Sequence, residues 1–453
     1  IGNYSLDALT SADKNVAIGY EAGSAITTGG GNTLVGHEAG KVITTGTFNT
    51  FFGFESGLNF DAETHNLGVG AGALGGAVAG GEYNVAVGNY ALDALTSGDN
   101  NTAVGYAAGS AITTGAENTF FGYNAGILHD TGTRVTAIGR SAYYRGNGEN
   151  DNTALGYVAL GGNLSGGEYN VAIGNYSLET VTSSDMNTAV GYQAGKAVTT
   201  GDGNTLFGYQ AGLAITGAGA YNVCLGTAAG TAITTGLRNT MVGQAGFQFD
   251  TENDNLGIGH GALGGAVAGG EFNICVGRNT GDAITSGDHN SIICYTAGSG
   301  LTTGGSNVLI GSSLAMADVT HSNAIIIGTG ISGNGDRFSF GKGSNVVQNT
   351  FTANADWTRT SDERLKTNIT GIDYNGLDFI NELRPVTFNW KASQDVPTDM
   401  EQYKANENQM DTDVTIDFLI AQEVKAAMDK HSINNFSGWK EDNDKGKTQL
   451  LSK

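Results

Sequence analysis

A short fixed period constrains this chain more than any local signal, because each unit of a repeat must pack against copies of itself. The pattern Asn-x-x-x-Gly recurs from Asn15 through Asn32, Asn49, Asn66, Asn84, Asn101 and Asn118, then from Asn152 to Asn307. Nearly every step is 17 residues, with occasional 16 or 18, and Val135 takes the Asn place in one copy. A longer identity lies over this one: NYALDALTSGDNNTAVGYAAG from Asn89 and NYSLETVTSSDMNTAVGYQAG from Asn175 stand 86 residues apart, so five coils are duplicated as a block. The unit is too short for a helical repeat of roughly 33 residues or more and fits one turn of a β-solenoid.

Each column of the repeat has a job. Three residues after the Asn the side chain is large and apolar (Ile18, Val35, Phe52, Val69, Val87, Val104, Phe121), which predicts a core column. The next position is glycine, broken only by Cys294, and predicts a corner where a side chain cannot fit or φ is positive. Seven after the Asn a small residue recurs, as at Ala22, Ala39 and Ala108. A second short strand is expected at Ile-Thr-Thr-Gly, as in Ile26 to Gly29 and Ile112 to Gly115. With stacked strands about 4.8 Å apart, the coils would build a rod of roughly 90 Å, and the Asn side chains an internal amide ladder. The residue two after the Asn is also mostly apolar (Ala17, Leu34, Phe51, Ala86, Phe120), so both faces of the strand are expected to be buried. One face fills the coil and the other needs identical neighbours, which predicts a homotrimer.

Composition divides the chain near residue 350. All but four of the 73 glycines precede residue 351, whereas Pro385, Pro397, Trp357, Trp390 and Trp439 follow it. Collagen is excluded by the lack of glycine at every third place, and disorder by a chain 39% hydrophobic and only 15% charged. The net charge of -22 offers no basic surface for nucleic acid or an anionic membrane, and no apolar run is long enough to span a bilayer. Cys224, Cys275 and Cys294 are too few and too scattered for a disulfide framework and read as small buried side chains.

The Asn-Thr-Ala-Val-Gly-Tyr-x-Ala-Gly copies at Asn101 and Asn187 resemble the repeats of trimeric autotransporter adhesin heads and of related phage tail-fibre shafts. This resemblance implies a trimeric parallel β-roll over most of residues 1–328. Residues 329–356 read as a neck of irregular short strands. From 357 to 453 an α+β domain is expected, with a helix near Tyr374 to Leu383, a strand Val386 to Lys391, an acidic loop, a strand Val414 to Leu419 and a helix Ala421 to Lys430. Its SDERLKTNI (Ser361 to Ile369), GLDFINELRPVTFNWK and IDFLIAQEV closely resemble the intramolecular chaperone autoprocessing domain of phage tailspikes, endosialidases and tail fibres. The resemblance implies trimerisation, folding of the fibre ahead of it, and cleavage between Thr360 and Ser361, with Ser361 as nucleophile and Lys366 as base. A neutral lysine could play that part if burial or a neighbouring cation lowers its pKa. From spacing alone, Thr360 with Glu363, or Ser361 with Asp362 and Glu363, reads as a helix cap ahead of a catalytic pair. The long terminal helices of such domains have no counterpart before Lys453. Ile1 falls in the middle of a coil, so the chain is expected to be a piece of a longer protein.

The function so implied is a structural, host-recognising component of a phage tail fibre or tailspike, made in the host cytoplasm and carried on the virion tail. Its partners would be its own copies, a host-surface glycan or protein, and tail or baseplate proteins reached through a missing amino-terminal region. The alternatives are a bacterial trimeric adhesin without proteolysis, or an ice-binding solenoid that uses the Thr27/Thr28, Thr113/Thr114 and Thr199/Thr200 rows. No cofactor or metal is expected: Gly70-x-Gly72-x-x-Gly75 and Gly259-x-Gly261-x-x-Gly264 lack a following helix, and Asp411, Asp413 and Asp417 lack the glycine of a calcium loop. Asp61, Asp130 and Asp250 interrupt the Thr columns in atypical turns, with Tyr143, Tyr144 and Arg145 near the second. Lateral sugar-contacting loops and mere surface variation both fit them.

Overall fold

A computed structural model describes residues 1–351 apart from 78, 247–249 and 266–268, and then 357–358, 376–389, 391–398, 405, 415–433, 439–442 and 447–450. It divides into two compact units, Ile1–Ala355 and Asp356–Lys453.

The first unit is a parallel β-solenoid. Among the described residues eighteen three-residue strands, from Val16–Ile18 to Val308–Ile310, each begin one residue after the repeat's Asn position. Every strand pairs in parallel with the next in unslipped register, for example Val16↔Thr33, Ala17↔Leu34 and Ile18↔Val35. The stacking continues through Ile325–Thr329 into Arg337–Lys342, part of the segment read as a neck, with Ile325 opposite Phe338. Asn345–Thr350 then turns back antiparallel on that last strand.

Two expectations about the coil are corrected. The core column is not the residue three after the Asn. It is the residue two after it, where Leu34, Phe51, Ala86 and Phe120 are fully buried, while Phe52, Phe121 and Phe207 are 56%, 55% and 58% exposed. Strand alternation makes this unavoidable: the Asn is buried, so the residue two on shares its face and the residue three on points outward. The second strand at Ile-Thr-Thr-Gly is also absent among the described residues, since that stretch is a bend; a second short strand occurs only in the last coils, where Ala315–Met316 pairs with Ser332–Gly333. There Thr27 and Thr28 both donate their N–H to the carbonyl of Thr44, a shared acceptor that cannot continue as a ladder. The Ile of that stretch is nonetheless a core residue, buried at Ile26, Ile43 and Ile112.

The Asn column forms the expected ladder. Asn15 Oδ1 accepts from the backbone N–H of Asn32 at 2.9 Å, and Asn32 Oδ1 from that of Asn49 at 2.9 Å. Each Nδ2 also reaches a loop carbonyl, as Asn32 does to Gly46 at 2.9 Å. Every rung thus satisfies polar groups in an otherwise dry interior, where an unpaired one costs roughly 1–3 kcal/mol. The corner glycines are obligatory: Gly19 has φ 141°, and a Cβ there would lie 2.1 Å from the Gly36 carbonyl oxygen. Cys294 manages the same corner at φ 97°. Cys224 and Cys275 are buried and Cys294 is half-buried, and burial pushes the Cys224 thiol up to about 12.

In the second unit a helix, α1 (Gly376–Glu382), precedes the strand Pro385–Asn389, which pairs antiparallel with Thr415–Leu419. A helix α2 (Ala421–Lys430) follows directly. Val424, Ala427 and Met428 on α2 pack with Phe379 and Ile433, the amphipathic face expected from their spacing. Lys430 at 2.6 Å and His431 at 3.1 Å hold Glu382, and Lys430 foremost keeps that carboxyl below its usual range.

Candidate functional site

The residues proposed for chemistry, Ser361 and Lys366, and the Thr360 to Ser361 bond between which cleavage is expected, lie outside the described residues, as do Asp411 and Asp413. The sites that the structure does place are on the solenoid.

The first is an outward apolar stripe. The column three after the Asn runs Ile18, Phe52, Phe121, Ile138, Leu155, Phe207, Leu225, Ile293, Ile310 and Ile327, all exposed, with half-buried valines between them. Two residues further on, past the glycine corner, a second stripe carries aromatic rings that sequence reasoning missed. Tyr20, His37 and Phe54 stack at 5.2 Å per step, and Tyr106 on Tyr123 at 5.3 Å. The Arg140 guanidinium lies 5.6 Å from the Tyr123 ring and 5.8 Å from the Tyr157 ring, and Tyr192 stacks on Tyr209 at 5.5 Å. The signal was a Tyr, His or Phe five after many repeat Asn residues. An apolar flank and a partly aromatic one therefore meet at one edge of the coil, with glycine at the corner in every rung but that of Cys294.

The second is a buried polar cluster at the rung where Val135 takes the Asn place. An Asn at Val135 would donate to the Glu149 carbonyl, as Asn118 does to Gly132 at 2.9 Å, and would accept from Asn152. The Tyr143 hydroxyl takes over part of this, meeting the Asn152 side-chain amide and not the backbone N–H that the ladder uses. It reaches the Glu149 carbonyl and carboxylate at 3.5 Å and accepts from Asn152 Nδ2 at 3.3 Å. Its ring fills the space left by Gly146, where a Cβ would lie 2.0 Å from Tyr143 Cε1. Burial pushes the phenol far above its ordinary pKa and holds His129 below its own. His129 packs edge-on against Phe120 and Tyr143, with Nε2 3.0 Å from the Gly132 oxygen and Nδ1 without a partner among the described residues. Glu149 Oε2 accepts from Asn147 N–H at 2.7 Å and Oε1 from Gly166 N–H at 3.0 Å, tying its turn to the rung above. Glu63 and Glu252 repeat this clamp on Gly80 and Gly269.

The atypical turns are not lateral loops. The hydroxyls of Thr44, Thr113 and Thr234 donate to the carboxylates of Asp61, Asp130 and Asp250, which therefore stand in the Thr column itself. Most Thr hydroxyls of the inner row are likewise spent on the next rung, as Thr27 Oγ1 is on the Thr44 carbonyl at 3.2 Å. The glycines of the two G-x-G-x-x-G matches include coil corners, Gly70 at φ 135° and Gly259 at φ 127°. Among the described residues no group of three or more His, Cys, Asp or Glu could hold a metal ion.

Fold and surface together define a β-solenoid followed in sequence by a small α+β unit. Residues 361–433 match the family described as chaperone of endosialidase, which covers both helices and the strand pair between them. No curated protein matches the chain. The chain thus joins a β-solenoid to a region similar to the chaperone-of-endosialidase domain.

Proposed function

We propose that this chain is the shaft and chaperone region of a phage tail fibre or tailspike, assembled as a homotrimer and displayed on the virion to bind a host surface. The observation that carries this reading is the pair of apolar flanks meeting at a glycine corner, in series with a chaperone-of-endosialidase match. A wedge with two apolar sides suits a cyclic assembly, in which one flank of each copy packs against the other flank of its neighbour and the corners meet near the axis. Covering a half-exposed Phe or Ile contributes about 1 kcal/mol per rung, and the rungs number nearly twenty.

The second unit nucleates that assembly and then releases itself. Ser361 Oγ attacks the carbonyl carbon of Thr360 as Lys366 takes the hydroxyl proton; the peptide C–N bond breaks and the proton passes to the freed amine. Water then hydrolyses the ester between Thr360 and Ser361. The test is the mass of the recombinant chain under denaturing and native conditions, for wild type and Ser361→Ala. Wild type is expected as two fragments under denaturing conditions and a trimer under native ones, with Ser361→Ala an uncut trimer. A single intact polypeptide from both removes the proteolysis, and a native monomer removes the assembly.

A further inference from the structure

We propose that a notch in the shaft between Tyr144 and Glu179 binds a carboxylated pyranose. This rests on the reading that the shaft recognises a surface, and names the ligand class and the place. The notch is a groove of about 510 Å³ lined by Ser141, Tyr144, Arg145, Asn163, Glu179 and Thr180 over a floor of Gly161 and Gly162. It exists because one rung has glycines where its neighbours carry side chains. The floor cannot readily be filled: a Cβ at Gly162 would lie 2.2 Å from the Val181 oxygen, and one at Gly161 2.5 Å from Val158 Cγ1.

The upper wall is held in place before any ligand arrives. Glu179 pairs with Lys196 at 3.2 Å, Lys196 Nζ lies 5.3 Å from the Tyr176 ring, and Thr180 Oγ1 donates to the Lys196 carbonyl at 2.7 Å. Glu179 and Thr180 therefore present acceptors to sugar hydroxyls at little ordering cost. On the lower wall the Arg145 guanidinium lies 5.9 Å from the Tyr144 ring. The solenoid is strongly acidic, and its other cations in comparable places are spent: Lys41, Arg134, Lys196 and Arg238 on carboxylates, and Arg140 between two tyrosines. Arg145 has no carboxylate partner among the described residues. A planar fork of donors held over an aromatic ring, facing hydroxyl acceptors across a glycine floor, matches a sugar ring that bears a carboxylate.

The stacked tyrosines elsewhere do not offer this. Tyr106 and Tyr123, and Tyr192 and Tyr209, stack face to face at 13°, so one face of each ring is already covered, and none has a groove beside it like the one at Tyr144. The duplicate of this rung at Gly75 and Gly76 does not offer it either, because its lower wall is Leu58 and Asn59 and Asn59 Nδ2 donates to the Gly75 carbonyl at 2.7 Å.

The test uses the assembled full chain with methyl glucuronoside and methyl glucoside, which differ at the carboxylate, followed by ligand-observed magnetic resonance titration. Wild type is expected to bind the glucuronoside in the millimolar range and about tenfold tighter than the glucoside. Arg145→Gln should erase that preference, and Tyr144→Ala should weaken both ligands about tenfold. Equal binding of the two glycosides, no binding of either, or an unchanged Arg145→Gln protein overturns the proposal. Adsorption of the same variants to bacterial surfaces separates the site from the wider reading. If wild type and both variants adsorb alike, the notch assignment falls and surface recognition stands elsewhere. If wild type binds the glucuronoside but adsorbs to no surface, the notch stands and the recognition role falls.

Discussion

At the scale of single residues, the most informative position is the exception. Val135 breaks a column of asparagines, and a hydroxyl eight residues later in sequence replaces part of the lost hydrogen bonding. Tyr143→Phe should therefore leave Asn152 Nδ2 and the Glu149 carbonyl short of a partner and cost about 1–3 kcal/mol. Adding Val135→Asn to a Tyr143→Ala chain should recover part of the larger loss that Tyr143→Ala causes alone, read by thermal melting with amide exchange at these rungs. His129 makes the same rung sensitive to acid. Its folded pKa is depressed by burial, so below about 6.5 the unfolded chain binds a proton that the folded chain refuses. Stability should fall as pH drops through that range, and His129→Leu, which restores the apolar type seen at Ile112 and Leu95, should flatten the dependence. Equal melting profiles of the two proteins from pH 7 to 5 would refute this. The break at Val135 was visible in the sequence. Its repair was not, because only the folded coil brings Tyr143 to the place of the missing amide.

At the scale of the element, parity separates what could be read from what was misread. The period, the parallel stacking, the corner glycines and the Asn ladder all follow from column chemistry. The inside and outside of the strand were exchanged because hydrophobicity was weighed ahead of alternation, although the buried amide already decided the matter. The three-residue strand also hides a rule about volume. A large residue two after the Asn goes with glycine eight after it, as in Phe120 with Gly126, where a Cβ would lie 2.3 Å from the ring. Leucine at that place occurs only beside a small one, as in Ala86 with Leu92 and Ala172 with Leu178, both leucines accepting positive φ, whereas Ala103 and Ala189 stand beside Gly109 and Gly195. Phe120→Ala alone should cost about 3–5 kcal/mol, and Gly126→Leu alone should overpack the coil. The double variant should be closer to wild type than either single one, measured by denaturant midpoint.

At the scale of the whole molecule, the outward stripe is the surface that the proposed assembly would cover. Phe121→Glu or Phe207→Glu should abolish association, reducing the native mass to that of one chain while the rungs keep their circular dichroism. Residues 1–350 carry 26 acids against 10 bases, so copies brought together repel, and association of the wild type should tighten as salt rises through the physiological range. A mass that falls with added salt would contradict the packing proposed. The chaperone-type domain was legible through its motifs in order, whereas the catalytic pairing of Ser361 with Lys366 rests on resemblance and awaits the cleavage assay.

The duplicated block has a consequence for how such a shaft could change. Because every rung meets the next through the same amide, corner and strand edge, exchange of genetic material between the blocks at Asn89 and Asn175 would add or remove five rungs at a time without a mismatched joint. Reach would then vary in steps of about 24 Å, like a ruler with coarse graduations.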